Sequence, residues 1–202
     1  MTDLPDKQSS NHKLEQEWNE HITVFSALEP LLPLLQQAGE LMITSLAKGQ
    51  KILLAGNGGS AADAQHIAAE LVGRYSTERV ALAAIALTTD TSIMTAVSND
   101  YGYDMVFARQ IEALADEGDV LLAYSTSGNS GNVCNAVKLA RQKKVQIISL
   151  TGASGGALLE LSNINLAVPS ESTPRIQECH AFMGHMLCQM VDDAVANGRI
   201  PC

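Results

Sequence analysis

The chain has 202 residues, of which 46% are hydrophobic, and its formal net charge is -9. This length and apolar content are typical of one globular domain with a real core, and they argue against a disordered chain. The negative charge repels phosphate backbones and so excludes general nucleic-acid binding through a basic face, although a local cluster of donors could still bind a small anion.

The N-terminal stretch is polar, and we expect residues 1–11 to be a flexible terminus that precedes one domain over residues 12–202. It does not have the pattern of a signal peptide, and no apolar run in the chain reaches the roughly 18 residues of a membrane span. Four cysteines without a C-x-x-C pair argue against a disulfide framework and a thiolate zinc site. These features predict a cytoplasmic protein with no membrane or nucleic-acid partner.

Residues 12–48 form a predicted helical arm. Their apolar residues recur at helical spacing, and Pro30 and Pro33 indicate a break between two helices. Such an arm could pack on a neighbouring subunit or cover its own domain, and the sequence leaves both alternatives open.

After the arm, five short apolar runs alternate with helical segments. This pattern predicts an α/β fold, a single doubly wound domain with a five-stranded parallel sheet and helices on both faces. The predicted strands are 52–55, 81–87, 120–124, 145–150 and 164–168, and the predicted helices are 60–74, 103–116, 131–142, 155–161 and 174–196. Ligands of such sheets bind beyond the carboxyl ends of the strands.

A glycine-rich loop, Gly56-Asn57-Gly58-Gly59-Ser60, follows the first predicted strand and opens a helix. Bare backbone N–H groups and a helix N-terminus at one point favour an anion. The loop matches neither dinucleotide nor Walker motifs and has no lysine at the Walker position. The alternative interpretation is a purely structural turn.

A hydroxyl-rich loop, Ser125-Thr126-Ser127-Gly128-Asn129-Ser130, follows the third predicted strand. It offers four hydroxyls, a glycine and a helix N-terminus, a donor set that suits a phosphate monoester. The alternative is that Ser130 only caps the next helix. Together the two loops predict a site for the phosphate of one small molecule.

His66 and Glu70 are four residues apart and therefore share one face of the predicted helix. Such a pair can bind zinc or act as acid and base, or it can be an ordinary solvated pair. The last predicted helix carries Gln177 and His185 about 80° apart around its axis, so both can face one cavity. His180 points elsewhere, as a core or surface histidine would.

The chain resembles the phosphoheptose isomerases of the sugar isomerase (SIS) fold group, which have a flavodoxin-like fold. The resemblance rests on GNGGSAADAQHIAAEL with the following Gly73 and Arg74, and on SNDYGYD, EGDVLLAYSTSGNS, SLTGASGG and RIQECH. It implies conversion of sedoheptulose 7-phosphate to D-glycero-D-manno-heptose 7-phosphate, which leads to ADP-heptose and the lipopolysaccharide core. It also implies a homotetramer with one Zn²⁺ in each subunit.

The resemblance also implies functional residues. The substrate-binding residues would be Asn57, Gly58, Gly59, Ser60, Glu70, Arg74, Asn99, Asp100, Ser125, Thr126, Ser127, Ser130 and Gln177. The zinc ligands would be His66, Glu70, Gln177 and His185. In the implied enediol mechanism, Glu70 is the base at C1 and His185 moves the proton on the oxygens. Since one residue cannot be a tight ligand and a free base at once, this hypothesis includes ligand exchange or a loosely held metal.

Two positions depart from the family pattern. Ala69 stands where some members have a second acid, and Pro174 stands where some have an acid that contacts substrate. These differences concern the details of substrate binding.

Two alternatives share the SIS fold. One is a non-enzymatic tetramer that binds the replication initiator protein, but its pattern lacks the acid at Glu70 and the final histidine. The other is a regulatory module that senses a sugar phosphate, but no helix-turn-helix or basic segment accompanies this domain. The presence of Glu70 and His185 therefore favours an enzyme.

Overall fold

The structure is a computed structural model that describes residues 7–201, with side chains from His12 onward. Five strands form one sheet, and eight α-helices surround it in this part of the chain. The strands are β1 Ile52–Ala55, β2 Ala84–Ala86, β3 Val120–Tyr124, β4 Gln146–Thr151 and β5 Ile164–Ala167. The helices are α1 Lys7–Ser26, α2 Leu32–Ala47, α3 Gly59–Val72, α4 Thr91–Tyr101, α5 Val106–Leu114, α6 Gly131–Gln142, α7 Gly156–Leu161 and α8 Thr173–Ala196.

All strand pairs are parallel, and the strand order is β2-β1-β3-β4-β5. In the register, Ile52 pairs with Ala84 on one side and with Val120 on the other. This is the flavodoxin-like doubly wound order, and the predicted fold class is confirmed.

Alternate strand residues face two separate cores, as the two-residue period of a strand requires. Leu54 and Leu122 point to the face covered by α2, α3 and α8, whereas Leu53 and Leu121 point to the face covered by α5, α6 and α7. The sheet is therefore buried on both faces, which is why its central strands are continuous apolar runs.

The helical arm has the predicted break. α1 ends at Ser26, a short 3-10 helix covers Glu29–Leu31, and α2 begins at Leu32 with Pro33 in its first turn. Proline fits there because the first turn has no intrahelical partner for its missing N–H. Residues 1–6 of the predicted flexible terminus lie outside the described residues, and α1 already begins at Lys7.

Two elements differ from the sequence prediction. β2 has three residues instead of seven, and it is an edge strand. α4 was not predicted, because its sequence TSIMTAVSNDY has few strongly apolar positions and none of its residues is buried. Asp90 caps it by accepting a hydrogen bond from the N–H of Ile93 at 2.9 Å. Among the described helices, none is long and apolar enough to span a membrane.

Candidate active site

The glycine-rich and hydroxyl-rich loops lie side by side. They follow β1 and β3, which are neighbours in the sheet at the point where the strand order reverses. A reciprocal amide pair joins the first loop to α6, the helix that follows the second: Asn57 donates to Asn132 at 2.9 Å, and Asn132 donates back at 2.8 Å. The predicted convergence of these two loops is therefore confirmed.

The glycine-rich loop needs its glycines for close approach. A Cβ on Gly56 would lie 2.7 Å from the carbonyl oxygen of Ser60, and Gly58 has φ of +57°. A Cβ on Gly59 would lie 2.6 Å from the side-chain nitrogen of Gln177. The start of α3 and the start of α8 thus meet at Gly59, which brings Gln177 to the loop.

In the hydroxyl-rich loop, Ser130 does not cap α6 with its side chain. Its hydroxyl is instead 2.9 Å from the hydroxyl of Ser125, a buried residue directly after β3. Gly128 has φ of +67°, and a Cβ there would overlap the backbone carbonyl of Gly155. The capping alternative is therefore wrong, and the two hydroxyls are held together at the N-terminus of α6.

A polar cavity of about 320 Å³ adjoins this loop. It lies over the carboxyl ends of β3 and β4 and is bordered by the segment that leads into α8. Its lining includes Thr126, Ser127, Asn129, Ser154, Ser170 and Thr173. This cavity offers hydroxyl and amide groups to a small polar ligand next to the predicted phosphate donors.

Sequence reasoning missed two residues that hold the loops. Asn132 is 2% exposed and exchanges side-chain hydrogen bonds with Asn57. The hydroxyl of Tyr103 donates to the side-chain oxygen Oδ1 of Asn57 at 2.9 Å. The contacts of Asn132 and Tyr103 with Asn57 both join elements that are distant in sequence. A buried amide at the second position of a helix is the one sequence signal that could have pointed to Asn132.

The predicted His66 and Glu70 pair is joined by His185. The Nε2 atom of His66 lies 3.1 Å from Glu70 Oε1 and 3.4 Å from His185 Nε2. One nitrogen or oxygen from each residue lies within 4.8 Å of the others, and His66 remains 47% exposed. The structure thus brings three of the four predicted zinc ligands together on the outer face of α3 and α8.

Close helix packing produces this cluster. A Cβ on Gly184 would lie 2.7 Å from Ile67, so the glycine lets α8 approach α3 one residue before His185. The ring of Tyr75 lies 5.5 Å from the ring of His185, tilted by 36°. His185 is therefore held between His66 and Tyr75.

Several buried polar groups lie beneath the cluster and the loops. Burial lowers the pKa of His180 to about 4, and its Nε2 lies 3.2 Å from the carbonyl oxygen of Thr151. Burial also raises the pKa of Tyr124, and it raises the pKa of Asp63 despite the attraction of His66. His180 is thus a neutral core histidine, one of the two interpretations of its position.

The remaining predicted site residues lie outside the cluster. Arg74 Nε is 3.8 Å from Glu78, and the Asn99 amide donates to Asp100 at 2.8 Å on the exposed face of α4. Gln177 lies eight residues before His185, about 12 Å along the helix axis. In this conformation it contacts the glycine-rich loop.

The cluster fits a zinc ion in ligand type, and two of its three separations also fit. Ligand atoms at 2.0–2.1 Å from a tetrahedral zinc are about 3.3 Å apart, close to the separations of 3.1 and 3.4 Å in the cluster. Two imidazoles and a carboxylate are also the ligand set of many catalytic zinc sites. The same groups can transfer protons, so the arrangement suits acid-base chemistry with or beside a metal.

Comparisons with known proteins identify the family of the chain. The SIS domain family matches residues 22–152. The phosphoheptose isomerase of Aliarcobacter butzleri is 55% identical over 175 residues, 87% of this chain and 93% of that protein. Phosphoheptose isomerase 1 of Campylobacter jejuni is 52% identical over 181 residues, which cover 90% of this chain and 97% of that protein.

Solved structures show the same similarity. The phosphoheptose isomerase of Neisseria gonorrhoeae has a TM-score of 0.86 and 45% identity, with 91% of this chain and 98% of that chain covered. The Francisella tularensis phosphoheptose isomerase has a TM-score of 0.88 and 40% identity at the same coverage. The chain therefore belongs to the phosphoheptose isomerase family of sugar-phosphate isomerases with a SIS domain.

Proposed function

We propose that this enzyme converts sedoheptulose 7-phosphate to D-glycero-D-manno-heptose 7-phosphate. The observation that carries the proposal is the cluster of His66, Glu70 and His185 on the two helices that also reach the glycine-rich loop. His66 is seven positions after Gly59, about 10 Å along α3. An extended seven-carbon sugar phosphate can span this distance, with its phosphate at the loops and C1 at the cluster.

The phosphate would bind where the two loops meet. Ser125, Thr126, Ser127 and Ser130 supply hydroxyl donors, and α3 and α6 begin there. Helix N-termini and hydroxyls can bind a phosphate without a cation. This fits the strongly negative net charge of the chain, because the donors act only at short range.

The isomerisation needs two kinds of proton transfer. Glu70 takes the proton from C1, while His185 donates a proton to the carbonyl oxygen at C2, which gives the enediol. Glu70 then returns its proton to C2, and His185 accepts the proton from the oxygen on C1. The net result moves the carbonyl from C2 to C1 with no external acid or base.

We further propose that His66, Glu70 and His185 hold a zinc ion, with Gln177 as a fourth ligand when it turns away from Gly59. The chemistry that zinc supplies when bound is polarisation of the substrate carbonyl and stabilisation of negative charge on oxygen. Because Glu70 is also the proposed base, its bond to the metal must be loose or exchangeable.

The proposed assembly is a homotetramer whose arm packs on a neighbouring subunit. Its support is an apolar stripe on α1: Leu14 and Trp18 are each 66% exposed, and Ile22 follows one turn later. The half-exposed cluster would then be covered by a second copy, which could also bring Arg74, Asn99 and Asp100 to the substrate. The proposed location is the cytoplasm, and the proposed pathway is ADP-heptose synthesis for lipopolysaccharide.

Trp18 is the only tryptophan in the chain, so its fluorescence reports on this assembly. We expect blue-shifted emission at high protein concentration and a red shift on dilution, in step with a loss of mass in light scattering. Leu14→Glu should shift both transitions to higher concentration, whereas Leu159→Glu on exposed α7 should not. An active monomer with exposed Trp18 would contradict the shared assembly.

The decisive experiment is turnover of sedoheptulose 7-phosphate by the natural protein, by Glu70→Gln and by the control Glu40→Gln. Glu40 pairs with Arg199 on the surface, away from the cluster. We expect at least a ~100-fold loss of kcat in Glu70→Gln and no loss in Glu40→Gln. Chelation should abolish turnover and zinc should restore it. Binding without conversion in the natural protein would instead contradict an isomerase.

A further inference from the structure

A buried ion pair lies at the far end of the helices that carry the cluster. Asp192 of α8 is 1% exposed, and its Oδ1 accepts a hydrogen bond from Arg79 Nε at 2.6 Å. The Arg79 side chain is 2% exposed. Arg79 lies in the segment 73–83 between α3 and β2, which has no helix or strand of its own.

The second oxygen of Asp192 anchors the same segment. It accepts hydrogen bonds from the backbone N–H groups of Ser76 at 2.9 Å and Thr77 at 3.1 Å. Burial alone would raise the pKa of Asp192, but the hydrogen bonds from Arg79, Ser76 and Thr77 outweigh it and lower the pKa. The carboxylate therefore stays charged and holds a turn that has no other regular structure.

Arg79 also holds the turn of α3 that carries Glu70. Its Nη2 donates to the carbonyl oxygen of Glu70 at 2.7 Å, and its Nη1 donates to the carbonyl oxygen of Leu71 at 2.9 Å. These are carbonyls of the last helical turn, which have no partner within the helix. The guanidinium thus fixes the backbone from which the Glu70 carboxylate projects.

The anchored turn acts on His185 as well. Tyr75 directly precedes Ser76, and its ring packs against the ring of His185. The Arg79–Asp192 pair is therefore connected to Glu70 through the backbone and to His185 through Tyr75. Neither connection requires the pair to contact a substrate.

We propose that Arg79 and Asp192 are positioning residues that set the relative placement of Glu70 and His185. This inference rests on the proposed function, since it assigns these two groups to proton transfer. Buried ion pairs contribute little net stability compared with apolar packing, so a second role is a reasonable expectation for this one. A misplacement of reacting groups by about 1 Å costs on the order of 100-fold in rate.

The chain offers a matched control in the loop before β3. Asp119 is fully buried, its Oδ1 accepts from the backbone N–H of Lys51 at 3.0 Å, and its Oδ2 pairs with Lys51 Nζ at 2.7 Å. It is thus a second buried carboxylate that anchors a loop and a cation, but it has no contact with the cluster. Asp192→Asn and Asp119→Asn make the same chemical change in both places.

The experiment compares both variants well below their unfolding temperatures. In Asp192→Asn we expect a ~10- to 100-fold lower kcat with KM within ~3-fold, because the phosphate loops are unchanged. Asp119→Asn should keep kcat and KM despite a similar loss of stability. An equal, small effect on kcat in both variants would overturn the proposal and leave Asp192 a structural residue.

Histidine NMR gives a readout that does not depend on turnover. In metal-free protein the ring-proton resonances of His66 and His185 should move in Asp192→Asn and stay in place in Asp119→Asn. If the natural protein fails to convert the sugar, this comparison still tests positioning, and unchanged resonances would overturn it. If Asp192→Asn does not fold, Tyr75→Leu replaces it, because that change leaves the buried pair intact. An unchanged kcat and unchanged His185 resonances in Tyr75→Leu would reject the proposed connection from the pair through Tyr75 to His185.

Discussion

The two edges of the parallel sheet differ in how their polar groups are used. At the amino edge, the loop before β3 is closed internally: Asp119 binds Lys51, and the hydroxyl of Ser45 donates to the Gly118 carbonyl at 2.9 Å. At the carboxyl edge, the hydroxyls of Ser125 and Ser130 pair with each other beside an open polar cavity.

This difference indicates which edge of the sheet has polar groups available to bind a ligand. Polar groups at the amino edge already have strong partners, so they stabilise the fold and have little left for a ligand. Groups at the carboxyl edge are held by glycines and weak hydroxyl contacts that a phosphate can replace. Equivalent changes at the two edges should therefore separate stability from activity.

The largest effect should come from Gly128→Ala compared with Gly49→Ala. Both glycines have positive φ, but a Cβ on Gly128 overlaps the Gly155 carbonyl, whereas Gly49 has open space around it. We expect Gly128→Ala to lose about 3 kcal/mol or more of unfolding free energy and to raise KM at least ~10-fold. Gly49→Ala should lose about 1 kcal/mol, with unchanged KM. Denaturant unfolding and steady-state kinetics measure both, and equal KM values would contradict the contrast.

The next largest effect should be on the pH dependence of the free energy of unfolding. The pKa of His180 is about 4 in the folded chain and about 6.5 when unfolded, so the unfolded chain binds more protons between these values. The free energy of unfolding should fall as pH drops from about 6.5 to about 4, by on the order of 3 kcal/mol. His180→Gln should remove this part of the slope, and His12→Gln on exposed α1 should keep it. Denaturant unfolding across this range is the test, and an unchanged slope in His180→Gln would refute it.

The smallest effect should come from removing one hydroxyl at each edge. Ser125→Ala loses a proposed phosphate donor, so KM should rise ~10-fold, as expected for a hydrogen bond to a charged group of about 1.5 kcal/mol. Ser45→Ala loses only its bond to Gly118, so unfolding free energy should fall by about 1 kcal/mol with KM unchanged. If both variants showed the same KM, the hydroxyl of Ser125 would not contact the phosphate.

Much of the fold could be predicted from periodicity. The strands β1 and β3 and the helix α6 match the predicted ranges, because long apolar runs and clear helical spacing encode buried faces. The exposed helix α4 and the short edge strand β2 could not be placed as well, because surface elements bury few residues and leave a weak pattern.

By itself, the sequence determined the local parts of the site: two donor loops after neighbouring strands, and His66 with Glu70 on one helix face. Only the tertiary structure decided which distant residues join them. His185 meets His66 across 119 positions because Gly184 lets two helices approach, and Asn132 reaches Asn57 across 75. The periodicity of apolar residues specifies which face of a helix or strand is buried. The contact between two such elements depends on how closely their backbones pack.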